Sequence, residues 1–247
     1  MARRAWARGL DLVYPPRCPI TDEAVTAHGA FAPAAWGRAS LLSAPWCQAC
    51  GLPFAPTDAA AALCVPCAAP ARYRSALTGP GRLSGLRAAL AYDDACAPVI
   101  LGLKYGDRHD VVPALARLLA RAGEDVLAEG AVLVPVPLHP RRLRARRFNQ
   151  AAVLARALGR LTGHAVAPMA LRRVKPTAPQ KGMSPAARAR NVAGAFVARG
   201  AAPERAVLID DVLTSGATLL GCARALRRAG TREVSAVTLA RVVRVGG

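Results

Sequence analysis

From about Ser84 onward, short apolar runs alternate with longer segments of helical periodicity. The runs Leu86–Tyr92, Val132–Val136, Ala193–Val197, Ala206–Ile209 and Val234–Leu239 have the length and side chains of strands. Between them, Asp110–Ala122 and Asn149–Thr162 carry apolar residues at helical spacing. In the second, Leu154, Leu158 and Leu161 share one face and Arg156 and Arg160 another. A third helix is expected at Thr218–Ala229, striped by Leu219, Cys222 and Leu226. Strands alternating with helices predict an α/β fold, a mostly parallel sheet with helices on both faces. Residues 1–75 lack this periodicity and are broken by Pro and Gly throughout. The change of texture places a boundary near residues 70–84, dividing the chain into a small module, 1–75, and a sheet domain, 76–247.

Composition changes this picture in three ways. Of the 247 residues 53% are hydrophobic but only 4% aromatic, so the core must be built from Ala, Val and Leu. No apolar run approaches the roughly 18 residues of a membrane helix; the longest clean one is Ala131–Leu138. Membrane insertion is therefore not expected. The start, Met1-Ala-Arg-Arg, is basic but lacks a following apolar stretch, so the expectation is a cytoplasmic protein without a signal peptide. The formal charge of +19 is the third feature. It suits a phosphate-bearing partner, either a polyanionic metabolite or a nucleic-acid backbone. It also suits a compositional bias, because the only lysines are Lys104, Lys175 and Lys181 and the other basic residues are Arg.

The chemistry concentrates at Val207-Leu-Ile-Asp210-Asp211-Val-Leu-Thr214-Ser215-Gly216-Ala217-Thr218. An apolar strand ends in two adjacent carboxylates, a turn of small hydroxyl residues and Gly follows, and a helix begins. Ligands of open α/β sheets bind beyond the carboxyl ends of strands. Free backbone N–H groups at the helix start, with its positive dipole end, favour a phosphate there. Gly216 removes a side chain from the close approach, and the hydroxyls add donors. Asp210 and Asp211 are placed to hold sugar hydroxyls or a hard cation. A cap explains one acid or one hydroxyl, but not an acid pair, three hydroxyls and a Gly within nine residues.

A second cluster, Arg141, Arg142, Arg144, Arg146 and Arg147, lies just beyond the Val132–Val136 strand. Guanidinium groups there suit bidentate phosphate contacts, to a ligand or to nucleic acid. A third feature is the pair of knuckles Cys47-Gln-Ala-Cys50 and Cys64-Val-Pro-Cys67, 13 residues apart. Cys47, Cys50, Cys64 and Cys67 supply four thiolates for a tetrahedral zinc ion, in a region with no core of its own.

The acid motif resembles the phosphoribosyl diphosphate signature of type I phosphoribosyltransferases. The chain as a whole resembles the ComF family of phosphoribosyltransferase-like proteins linked to natural competence. That resemblance extends through Leu103-Lys-Tyr-Gly-Asp-Arg108, Val134-Pro-Val-Pro-Leu-His-Pro-Arg-Arg142, Arg147-Phe-Asn-Gln150 and Arg188-Ala-Arg-Asn191-Val-Ala-Gly-Ala-Phe196. It implies that Asp210 and Asp211 contact the ribose hydroxyls and that Thr214–Thr218 grips the 5-phosphate, with magnesium accompanying the diphosphate. Pro137-Leu-His139-Pro-Arg141-Arg142 would form the diphosphate loop. Arg172–Ser184, with Lys175, resembles the mobile loop that closes over the ligand. The family usually carries a second cysteine site earlier in the chain. Here only Cys18 stands, with Ala32-Pro-Ala-Ala35 where a pair would be, so one zinc and a degenerate first ribbon are expected.

Two functions fit these parts. One is phosphoribosyl transfer, with diphosphate leaving under magnesium, Arg and Lys stabilisation. The other is a non-catalytic module for DNA uptake. In that reading Arg144, Arg146 and Arg147 contact single-stranded DNA, or the chain contacts a competence helicase, and the ligand site is regulatory or vestigial. Aromatic stacking platforms are scarce for the latter.

Overall fold

The structure, a computed structural model, describes residues 15–54, 62–69, 82–105, 108–176 and 185–243. Two short helices, α1 (Pro33–Arg38) and α2 (Val65–Ala68), lie in the N-terminal part. The remainder runs β1 (Leu86–Ala91), α3 (Cys96–Tyr105), α4 (Val112–Ala122), β2 (Val132–Pro135), α5 (Pro140–Arg146) and α6 (Gln150–Thr162). It continues through β3 (Leu171–Arg173), α7 (Pro185–Asn191), β4 (Phe196–Ala198), β5 (Arg205–Leu213), α8 (Ala217–Arg228) and β6 (Glu233–Arg241).

Strands β1, β6, β5 and β2 form one sheet in that order, every pairing parallel. β5 is an inner strand covered on both faces, which is why Ala206–Ile209 reads as an unbroken apolar run. One face packs on α4 and α6 through Leu115, Leu119, Leu154 and Leu158 against Leu133, Val207, Ile209 and Leu239. The other packs on α8, whose Leu219, Cys222 and Leu226 meet Val134, Leu208 and Ala236. The helix-covered parallel sheet expected from the alternation is present. Both edges are covered as well. Leu42 N–H donates to Ala89 O at 2.9 Å and Ala91 N–H to Ser40 O at 2.8 Å along β1, while Ala165–Ala167 bonds Leu133 along β2.

Four expectations shift. The apolar run Ala193–Val197 does not join the main sheet. Ala193 and Ala195 N–H bond Arg190 and Val192 carbonyls, closing the turn after α7, and only Phe196–Ala198 extends, antiparallel to β3. Arg172 and Arg173, expected in a loop, are strand residues of β3, and residues 177–184 of that stretch lie outside the described residues. The segment expected as a diphosphate loop, Pro137–Arg142, shortens to 137–139, because Pro140 opens α5 at a position where its missing N–H costs no bond, and His139 caps it. The helix expected from Asp110 begins with a 3₁₀ turn at His109–Val111.

Candidate functional site

The carboxyl ends of β5 and β2 diverge over a cleft of about 460 Å³. Asp210 and Asp211 stand on one wall with Thr214 and Thr218, and Pro137, Leu138, Arg142 and Arg146 on the other. Asp210 Oδ1 accepts, at 3.0 Å, the N–H of Asp211, whose carboxylate also lines the cleft. There its Oδ2 meets Lys104 Nζ at 2.9 Å, in an ion pair that is largely buried on both sides. Burial first, and the Asp211 charge second, push the Asp210 carboxyl up to about 8.

Beyond Leu213 the chain turns through Thr214 and Ser215 into α8. Gly216 is the N-cap at φ 73°, a left-handed conformation that favours glycine, and it offers no side chain to satisfy the first N–H groups. The Ser215 hydroxyl is buried without a hydrogen-bond partner among the described residues. The first N–H groups of α8 thus lack a side-chain cap, beside a hydroxyl with no partner among the described residues. The start of α6, facing the same cleft, differs: Asn149 Oδ1 accepts the Ala151 N–H at 3.1 Å, and its amide donates to Val136 O at 3.0 Å.

Cations ring the cleft. Arg146 donates to Tyr105 Oη at 3.0 Å and Gln150 Oε1 at 3.3 Å, and its guanidinium lies 5.0 Å over the Tyr105 ring. Arg173 reaches the cleft from β3 with 6% exposure, its guanidinium 5.4 Å over Phe196. Burial, then the nearby Arg142, lowers its pKa. Arg188 enters from α7. Desolvation, followed by Arg141 and Arg173, holds His139 below its usual range, in keeping with Nδ1 accepting the Arg141 N–H at 3.3 Å.

Of the residues singled out in the sequence, the cleft gathers Asp210, Asp211, Thr214, Thr218, Arg142 and Arg146, with Ser215, Gly216 and Ala217 in the turn behind. His139 and Arg141 sit at the α5 start, outside the cleft lining. Lys175 is exposed, donates to Ala193 O at 3.3 Å and is not among the residues lining the cleft. Arg144 and Arg147 are exposed. Sequence reasoning gave no role to Lys104, Gln150, Arg173 or Arg188. Lys104, Gln150 and Arg188 lie within the segments quoted for the family resemblance and Arg173 within the expected mobile loop Arg172–Ser184, and that was the available signal.

The four knuckle cysteines converge so that their Sγ atoms all lie within 4.8 Å of one another, with Cys50 and Cys64 3.7 Å apart. Tetrahedral Zn–S bonds of about 2.3 Å require sulfur separations of about 3.8 Å, so the donor set fits zinc. Against the pull of burial, backbone N–H groups of Cys64, Cys50 and Ala49 lower Cys47 to about 7. Burial and then the Cys50 charge raise Cys64 to about 11, a conflict that a bound cation resolves. Gly51 turns the knuckle so tightly onto β1 that a Cβ there would lie 2.0 Å from Leu86 O. The Cys50 carbonyl accepts from buried Arg241 at 2.7 Å.

The first ribbon repeats this geometry without the ligands. Backbone groups of Ile20, Thr21 and Ala32 bond Cys18 as those of Ala49, Cys50 and Cys64 bond Cys47. Ala32 precedes α1 as Cys64 precedes α2, each followed by Pro in the first helical turn. Where metal would sit, Cys18, Ala32 and Ala35 form a small apolar core with Ile20, Val25 and Phe31.

Comparison with known proteins agrees. A double zinc ribbon domain matches residues 9–72. Competence protein F of Haemophilus influenzae is 33% identical over 159 residues, 61% of this chain and 69% of that protein. The DNA utilization protein YhgH of Salmonella typhimurium is 32% identical over 196 residues, 73% of this chain and 85% of that protein. A hypoxanthine phosphoribosyltransferase from Staphylococcus aureus overlays on 54% of this chain and 64% of that one at TM-score 0.32 and 14% identity, too remote to carry an argument. A helix-covered parallel sheet with strand-end acids over an open helix start, joined to a cysteine ribbon, defines a zinc-ribbon α/β protein with a cleft lined by acids and arginines. The chain belongs to the ComF family, with competence protein F and the YhgH proteins.

Proposed function

We propose that this protein binds phosphoribosyl diphosphate with magnesium in the cleft, and that it serves natural competence and DNA uptake as the names of its relatives suggest for them. The observation that carries the ligand is the conjunction of Asp210 and Asp211 with the uncapped start of α8 and the unpaired Ser215 hydroxyl. In this reading the 5-phosphate takes the N–H groups from Ser215 to Thr218, and the acids accept the ribose hydroxyls. Arg142, Arg146, Arg173 and Arg188 face the diphosphate, as does Lys104 once ligand hydroxyls take over Asp211. The oxygen-only acid pair also suits magnesium, which supplies charge neutralisation at the diphosphate when bound. Diphosphate release on incubation distinguishes transfer from binding alone. No described cleft residue singles out an acceptor.

The raised Asp210 pKa gives the test. With its carboxyl pushed up to about 8, Asp210 favours the protonated form in the ligand-free protein at neutral pH, whereas the carboxylate is the stronger acceptor for hydroxyls and the form that holds a cation. Binding should therefore release a proton, and affinity should rise from pH 6 to 8 by up to about tenfold per unit before levelling. Calorimetric titration in buffers of different ionisation enthalpy counts the proton, with Asp210→Asn as the control for the ligand's own phosphate. Equal slopes in the two proteins would remove Asp210 from the site.

The ribbon reading adds a prediction on metal count. The wild type should hold one zinc per chain, and Thr21→Cys with Ala32→Cys and Ala35→Cys should hold two, because the backbone around Cys18 already has knuckle geometry. Elemental analysis of the purified variant decides it. A count still at one means that the first ribbon has left metal-binding geometry.

A further inference from the structure

Outside the ligand cleft, the described surface carries a second groove of about 480 Å³, between α4 and α6. Its floor is apolar, with Val112, Ala116, Val153 and Ala157, and exposed Leu161 stands at its side. Arg117 and Arg160 line it as exposed cations, neither with an ion-pair partner among the described residues. Neither helix contains an Asp or Glu, whereas Arg121 and Arg156 add two more exposed cations to the same two helices. The groove shares no lining residue with the ligand cleft.

We infer that this groove docks an acidic amphipathic helix of a partner protein, apolar side chains on the floor and carboxylates toward Arg117 and Arg160. Three physical points select that occupant. A groove between two packed helices with small side chains on its floor accepts the apolar stripe of a third helix. Unpaired arginines at its sides are complementary to carboxylates and would repel the same face of a second copy of this chain. Nucleic acid would use the arginines but leave the apolar floor without a role, since His109 is the one aromatic ring among the lining residues on which a base could stack.

The probe is a fluorescein-labelled helical peptide of about six turns, Leu along one face and Glu elsewhere. It is measured by anisotropy with the full zinc-loaded chain. Arg117→Glu with Arg160→Glu should weaken binding about tenfold or more, while the matched reversal Arg38→Glu with Arg228→Glu changes it little. All four side chains are exposed, so thermal melts should be unchanged. Replacing the peptide's Leu by Ser should also abolish binding, which separates docking from bulk attraction to a +19 chain. Equal loss in both double variants, or undiminished binding of the Ser peptide, overturns the inference. So does failure of the Leu/Glu peptide to bind the wild type. Loss of oligothymidylate binding, or of self-association seen by sedimentation, in the Arg117/Arg160 variant alone assigns the groove to nucleic acid or to a second copy, and rejects the helix.

Discussion

Asp210→Asn is expected to lower affinity for phosphoribosyl diphosphate ten- to a hundredfold while leaving the protein at least as heat-stable above pH 8. In the proposed complex each acid would accept charge-assisted hydrogen bonds from ribose hydroxyls, worth about 1.5–3 kcal/mol. The stability half follows from linkage. An unfolded Asp titrates near 4, whereas burial and Asp211 push Asp210 up to about 8. The folded state then holds the extra proton across that window, so stability falls as pH rises from about 4 to 8. Asn removes that loss and still accepts the Asp211 N–H. Asp211→Asn should lose affinity similarly but melt earlier, because it leaves the largely buried Lys104 ammonium unpaired at a cost on the order of 2–3 kcal/mol. Titration calorimetry beside thermal melts at pH 6 and 9 separates the two variants. Normal affinity with a lowered melting temperature in both would make the acids structural caps.

That asymmetry between neighbouring acids was not legible in the sequence, and the reason is physical. Adjacent residues on a strand face opposite ways, so the motif gives the acids but not their partners. Lys104 comes from α3, more than a hundred residues earlier, on a segment so uniformly apolar at Val99–Leu103 that no helical stripe announces it. The same holds for Arg173 and Arg188, which reach the cleft from short elements without periodicity. What was legible rests on local rules. The long periodic segments became α4, α6 and α8, the buried runs became β1, β2, β5 and β6, and the hydroxyl-Gly turn became an open helix start. The run Ala193–Val197 misled because it spans two structures: its first half is the turn after α7, only Phe196 and Val197 extend, in β4, and only Ala195 and Phe196 are buried.

The arginine cluster illustrates how one sequence feature divides in space. Arg142 and Arg146 are two of five guanidinium groups within seven positions, and one helical turn puts them on the cleft side of α5. Arg141, Arg144 and Arg147 are left exposed, Arg147 in a left-handed conformation at the helix end. Arg146 is further fixed by Tyr105 and Gln150 at the cleft lining.

Cys50→Ser should reduce bound zinc from one per chain to none and unfold the second ribbon while the α4–α6 face of the sheet stays intact. Four thiolates are the strongest cohesive element in residues 45–54 and 62–69, where zinc binding of about 10–16 kcal/mol in comparable peptides is folding energy. Loss should spread next to β1 and β6. The knuckle turn lies against Leu86 O, the Cys50 carbonyl is the acceptor for buried Arg241, and Trp46 stacks on Arg87 with 4.6 Å between the guanidinium carbon and the ring centre. Arg241 also carries the effect toward the ligand cleft: its carbonyl accepts the Tyr92 N–H at 2.7 Å, and the next residue, Val242, bonds Leu213 just before Thr214. The apolar face built from Leu115, Leu119, Leu154 and Leu158 contains no ribbon cysteine. Amide hydrogen exchange should therefore speed up first at residues 40–54, then along β1 and β6, with Leu133 and Val207–Ile209 still protected. The first ribbon, whose Cys18, Ala32 and Ala35 form an apolar cluster of their own, should change least among residues 15–54. Retained zinc would show that three thiolates and a hydroxyl suffice, and uniform loss of protection across all four sheet strands would show that ribbon and sheet fold as one unit.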